Sequence, residues 1–218
     1  MGREIITFID KNAEYLLIQY VDEHDIEVLE SEYKYIYDKA KEPFSLVAVK
    51  VSDWNSELSP WEAGAVFGNQ PFGGKAAETL SELTQEIIPT IKRDNGIGDD
   101  IKIIIGGYSL SALFALWCGY NSDLFYGVAA ASPSVWFNGW CDYAKASDFK
   151  AKQVYLSLGN KEEKTRNQVM ATVADCIKEQ EEIFKEKGIP CTLEWNEGNH
   201  FKDTDLRTAK GFINLINL

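Results

Sequence analysis

The stretch "IKIIIGGYSLSALFALW", residues 101–117, decides how this chain is read. "IKIIIGG" has the β-branched, apolar character of a buried strand, and "LSALFALW" reads as the helix that follows it. Between them stands Ser109, flanked by small residues. Such a serine has two readings. It can cap the helix by accepting a backbone N–H, or it can be a nucleophile held in a strained strand-to-helix turn. The second reading demands small residues two positions before and two after, because strand and helix nearly touch there. Gly107 and Ser111 meet that demand and Gly106 and Ala112 add clearance, although Ser111 replaces the usual second glycine.

Working outward, short apolar runs alternate with helical patterns. Candidate strands are "FSLVAVKV" (44–51), "IKIIIGG" (101–107), "YGVAAAS" (126–132), "QVYLSLG" (153–159) and "PCTLEWN" (190–196). Two earlier runs, "EIITFID" and "YLLIQYV", are expected to pair as an antiparallel edge across a Lys-Asn-Ala turn. Leu80, Leu83, Ile87 and Ile91 mark the inner face of a helix over about 75–94. Val169, Val173, Cys176, Ile177 and Phe184 do so over 164–187, ending at Gly188, and Leu206, Ala209, Ile213 and Ile216 line the last helix. The alternation predicts an α/β fold, a mostly parallel sheet covered on both faces, in one domain spanning 1–218. Ligands in such sheets bind at the carboxyl ends of the strands.

Composition narrows the function classes. A net charge of −12 repels phosphate backbones and anionic membranes, so nucleic-acid binding is not expected. No run approaches the roughly 20 apolar residues of a membrane span. The opening "MGREIITFIDKNAEY" meets charge too soon for a signal peptide, and a cytoplasmic location is expected. Cys118, Cys141, Cys176 and Cys191 form no C-x-x-C pair, and two histidines leave a Cys/His zinc site almost without ligands. "GNQPFGGKA" (68–76) resembles a phosphate-binding loop, but its register is wrong and Ala76 stands where Ser or Thr must bind magnesium.

A serine nucleophile needs a base, and only His24 and His200 are on offer. His24 lies among carboxylates in "VDEHDIEV", as a solvated surface residue does. His200 lies in "EGNHFKD", between the final strand and the final helix, where a triad base belongs. For the orienting acid, "LGNKEEKTRN" offers Glu162 and Glu163 just after a strand, with Asn160 beside them, and the residues alone leave that choice open. The order Ser, acid, His is that of α/β-hydrolases. An oxyanion hole would take one backbone N–H from Leu110 and a second from the loop "SDWNSELSPW", for which Trp54 is the expected donor. Trp54, Trp61, Phe67, Phe72, Trp136, Phe137 and Trp140 crowd the loops, and Trp61, Phe72, Trp136 and Trp140 are expected to form an apolar acyl pocket.

These residues resemble the putative-esterase family of α/β-hydrolases, which includes esterase D, feruloyl esterases, mycolyltransferases and siderophore (enterochelin-type) esterases. "GGYSLSALFALW" followed by "AAASPSVWF" (129–137) is similar to that family's elbow and the Ser-Pro-Ser-aromatic turn beyond it. "DWNSELSPW" resembles its Arg-Asp-x-Thr-Pro loop and "GNH" its terminal histidine loop. "LSLGNKEE" matches the Gly-x-x-Glu pattern of siderophore esterases, which selects Glu162 over Glu163. The resemblance runs from about 44 to 205, whereas the first 40 residues match poorly and look like a shortened sheet edge. It implies an α/β-hydrolase fold without a large lid and a serine esterase of small-molecule esters that uses no metal or cofactor. It further implies a Ser109-His200-Glu162 triad working through an acyl-enzyme. An acyltransferase with the same triad, or a silent binding protein of this fold, are the alternatives. A ferric catecholate is a poor expectation, because Arg3, Arg93, Arg166 and Arg207 all fall outside the expected active-site loops.

Overall fold

The computed structural model describes residues 3–66 and 68–218, and Phe67, among the loop aromatics, lies outside them. The strands are β1 (Ile5–Phe8), β2 (Tyr15–Val21), β3 (Phe44–Lys50), β4 (Glu62–Ala63), β5 (Phe72–Gly73), β6 (Lys102–Tyr108), β7 (Phe125–Ala131), β8 (Gln153–Gly159) and β9 (Cys191–Asn196). The helices are α1 (Glu23–Tyr37), α2 (Trp54–Glu57), α3 (Ala76–Glu82), α4 (Ile88–Asn95), α5 (Leu110–Asn121), α6 (Trp140–Ala146), α7 (Val173–Glu186) and α8 (Thr204–Asn217). The sheet runs β1-β3-β2-β6-β7-β8-β9, and β4 pairs with β5 apart from it. All its pairings are parallel except that of β1 with β3. This is the α/β-hydrolase fold, without a large lid among the described residues.

Alternation along β2 builds both halves of the core. Leu16, Ile18 and Tyr20 face the layer of α3 to α7, while Tyr15, Leu17 and Val21 face α1 and α8. Every residue of β2 is buried, which is the signature of a strand covered on both faces. The expected edge hairpin is therefore corrected: β2 is interior, parallel to β3 and β6, and β1 crosses over to pair with β3. Nor are residues 15–21 a shortened edge.

One helix begins elsewhere than expected, and another is interrupted. The one expected from 164 begins at Val173, after a 3-10 turn over Met170–Thr172. The Asn167 side chain takes the N–H groups of Val169 and Met170, a local bond that competes with helix. A π turn over Leu83–Ile87 joins α3 to α4. In α8 the buried face centres on Phe212 and Leu215, with Leu206 and Ile213 only half-buried. Among the described residues, no helix is long and apolar enough to cross a membrane.

Candidate active site

The turn from β6 into α5 places Ser109 at φ 59° and ψ −118°, a backbone region that L-residues seldom occupy. Its amide donates to Ala131 O, and its carbonyl accepts from Leu113 and Ser134. Thus β7 and the Ser132-Pro133-Ser134 turn brace the strained residue from one side. The closeness of strand and helix is measurable at Gly107, where an added Cβ would lie 2.2 Å from Ser111 Oγ. Ser111 is itself accommodated, because its buried hydroxyl donates to Tyr20 O at the end of β2, 2.8 Å away. Ser109 occupies the cap position of α5, yet its side chain makes no capping bond.

Its hydroxyl instead lies 3.0 Å from His200 Nε2. The other ring nitrogen, Nδ1, is 2.7 Å from Glu162 Oε2. His200 rides on the loop after β9, and neighbouring elements tie that loop down. Tyr108 OH donates to the His200 carbonyl at 2.7 Å, Lys161 N–H to Gly198 O at 3.0 Å, and Gly198 N–H to Asn160 Oδ1 at 3.1 Å. Glu162 follows β8 in a tight turn, its amide donating to Gly159 O. A side chain at position 159 would meet Gly198 O at 2.5 Å, so the turn requires glycine. Glu163 is exposed and His24 is exposed on α1.

Around the far oxygen of Glu162 the chain builds a cradle. Oε1 accepts from Gly159 N–H and Ser132 Oγ, each at 2.7 Å, and from Arg207 Nη1 at 3.0 Å. Arg207 comes from α8, is 2 % exposed, and also donates to Tyr108 OH and Glu197 O. Burial alone would raise the Glu162 carboxyl. The hydrogen bonds from His200, Ser132 and Gly159, with the charge of His200, outweigh it and hold the group below the ordinary carboxylate value. The Tyr108 phenol is pushed up to about 12, by burial first and then by the Glu162 charge. The sequence reading set Arg207 aside as lying outside the active-site loops and gave Ser132 no role, whereas both contact Glu162 Oε1. Arg207 sits in a helix and not in an active-site loop, and only its burial reveals its partner.

Beside His200 opens a cavity of about 220 Å³, bounded by Ser132, Trp136, Glu162, Met170, His200 and Phe201. Of the expected aromatics, Trp136 lines it. Trp140 does not: it is fully buried, and its indole N–H donates to Gln180 Oε1 at 2.8 Å. Phe72 is buried against Phe137, with ring centroids 5.0 Å apart. Trp61 is half-buried and packs on Phe137 and Tyr143, donating to Asn138 O. Large rings at the sheet ends fill the core here more than they line the cavity. Leu110 is the first residue of α5, where a backbone N–H has no partner within the helix. Trp54 opens α2 after β3, and β2 stands between β3 and β6.

Residues 22–203 match the family model Esterase, described as "Putative esterase". No curated protein sequence matches the chain. Among solved structures, an IroE-like serine hydrolase from Shewanella oneidensis aligns with a TM-score of 0.78 at 14% identity, over 99% of this chain and 76% of that one. Siderophore hydrolase EstB from Aspergillus nidulans aligns with 0.75 at 15%, over 96% and 87%. The enterobactin esterase FES from Shigella flexneri aligns with 0.70 at 16%, over 99% of this chain and 55% of that one.

Proposed function

This chain belongs to the Putative esterase family and is a carboxylic ester hydrolase, and we propose that it works through an acyl-enzyme with Ser109 as nucleophile, His200 as general base and acid, and Glu162 as the group that orients the imidazole. The reading rests on one observation: a continuous chain of hydrogen bonds, Ser109 Oγ to His200 Nε2 at 3.0 Å and His200 Nδ1 to Glu162 Oε2 at 2.7 Å. With Nδ1 protonated and held by the carboxylate, Nε2 is free to take the serine proton as Oγ attacks the ester carbon. The resulting imidazolium then protonates the departing alkoxide, and a water activated by the same nitrogen releases the acid.

Negative charge on the tetrahedral oxygen would meet the Leu110 N–H. The second donor is better assigned to the turn leaving β2 than to Trp54, since β2 is the strand paired with β6. In that turn the amides of Asp22, His24 and Asp25 are committed to the capping bonds of α1, which leaves Glu23 N–H as the donor.

Turnover of 4-nitrophenyl acetate and butyrate tests the reading, together with labelling by a fluorophosphonate. Ser109→Ala is expected to lower kcat by about 10⁴ or more and to abolish the label. Unchanged turnover in that variant overturns the assignment. Added alcohols separate hydrolysis from acyl transfer: free acid remains the main product if water is the acceptor.

A further inference from the structure

Lys161 and Lys164 both line the cavity beside His200. The chain carries 34 acidic side chains against 22 lysines and arginines, so a free lysine pair at a cavity wall is not what composition alone would place there. Among the described residues, neither lysine has a carboxylate within ion-pair distance, a condition shared by Lys75, Lys150 and Lys187, which line no cavity with the catalytic candidates. Glu162 is the one carboxylate in the lining, and both its oxygens are engaged, Oε2 by His200 and Oε1 by the buried Arg207. Arg207 balances its charge. The two lysines, with exposed Glu163 between them in the chain, thus present positive charge free of a direct ion pair over walls of Trp136, Met170, Val173 and Phe201.

Which half of an ester would enter follows from the histidine. His200 Nε2 faces Ser109 and must hand its proton to the leaving oxygen. A cavity bounded by that ring lies where the alcohol portion departs. Its volume, about 220 Å³, is below the range of roughly 300–1,000 Å³ that holds drug-sized ligands, and suits a single ring or a short chain.

We propose that this cavity selects esters whose alcohol portion is a small apolar body carrying an anionic group, with Lys161 and Lys164 meeting the anion and Trp136 and Phe201 the apolar body. The proposal rests on the reading of Ser109 as nucleophile and His200 as its base. Both lysines are exposed, so each contributes what an exposed charge contact does and not more.

The test is a series of phenyl acetates with methylene-spaced para substituents, each rate divided by the same ester's hydroxide-catalysed rate to correct for unequal leaving phenols. The substituents are carboxymethyl, phosphonomethyl, the neutral carboxamidomethyl and the cationic trimethylammoniomethyl. The parent protein is expected to favour the anionic esters over the neutral one by about five- to tenfold in kcat/KM, chiefly through KM, and to disfavour the cationic one. The faster of the two anionic esters identifies the anion. In the double variant Lys161→Gln/Lys164→Gln the anionic-to-neutral ratio should collapse towards unity. In the parent it should shrink as salt rises from about 0.01 to about 1 M, where the Debye length falls from about 30 to about 3 Å. A ratio at or below unity in the parent, or one unchanged in the double variant, overturns the proposal. If Ser109 takes the fluorophosphonate and the neutral ester turns over, that result removes only the charge selectivity. If there is neither label nor turnover, the nucleophile reading falls with it.

Discussion

Arg207 and His200 divide the Glu162 carboxylate between them, the guanidinium on Oε1 at 3.0 Å and the imidazole on Oε2 at 2.7 Å. One cation is permanent and nearly inaccessible to water; the other acquires its charge only when it takes a proton. A carboxylate so divided has a fixed rotamer and an ionised ground state before the serine proton moves, which is what an orienting acid must supply.

Replacing Arg207 by Met should be costly for that reason. Breaking a buried pair typically costs about 3–5 kcal/mol, and here it also frees Tyr108 OH and the Glu197 carbonyl. The expected result is a Tm lowered by several degrees and kcat reduced with KM little changed. Arg207→Lys, which keeps the charge but not the fork, should fall between parent and Met. Thermal unfolding and steady-state kinetics on the two variants check this. Equal kcat in all three proteins would remove Arg207 from the account of the site.

Glu162→Gln preserves shape and removes charge. Turnover should fall by about 10²–10⁴, the scale on which a triad loses its orienting acid. Stability against pH gives a second readout. The folded Glu162 holds its proton less tightly than an ordinary carboxylate. Its ionisation therefore stabilises the fold above the unfolded carboxylate value, and that contribution is lost as pH falls through the depressed folded one. The difference in Tm between parent and Glu162→Gln should accordingly be largest near neutrality and shrink in acid. A difference that grows in acid would contradict the assigned shift.

On the face of the sheet covered by α1 and α8, Glu32 presents the reverse case. It is buried on α1 beside Gln19, and burial above all raises its carboxyl to about 8, with Asp25 and Asp205 adding repulsion. The folded state thus retains a proton that the unfolded chain releases from about pH 4.5 upward. Stability must decline as pH rises from there towards 8. Glu32→Gln, neutral at every pH, should raise Tm by several degrees at pH 8 and change it little at pH 4. A variant less stable than the parent at pH 8 would show that the ionised carboxylate is paired after all.

How far the sequence reached depended on whether a residue's role is local. Ser109, Glu162 and His200 each lie in a strand-to-helix connection, and a connection can be read from its own few residues, although those residues left Glu162 and Glu163 level. The register of β2 cannot, because "YLLIQYV" pairs with strands distant in the chain; only its lack of polar alternation hinted at an interior place. Arg207 is likewise opaque, since one polar residue on an amphipathic helix looks solvated until tertiary packing puts Glu162 against it. Trp140 failed for the same reason, its buried partner Gln180 lying on another helix.

The elbow itself yields the last prediction. Gly107 is forced by contact: an added methyl would sit 2.2 Å from Ser111 Oγ and 2.8 Å from Ser111 Cβ. Relief requires α5 to move off β6, or Ser111 to rotate and abandon Tyr20 O. Rotation alone leaves Ser111 Cβ at 2.8 Å, so the helix must move as well, and it carries Ser109 with it because Ser109 and Ser111 share its first turn. Gly107→Ala should therefore reduce kcat by about 10² or more, as a misplacement near 1 Å does, and also lower Tm. Removing the obstacle should undo part of the harm: Gly107→Ala/Ser111→Gly exchanges the clash for one lost hydrogen bond and a helical glycine, each about 1 kcal/mol. The double variant is expected to regain turnover relative to Gly107→Ala while remaining less stable than the parent. If it recovers none, the contact at Ser111 is not what makes position 107 a glycine.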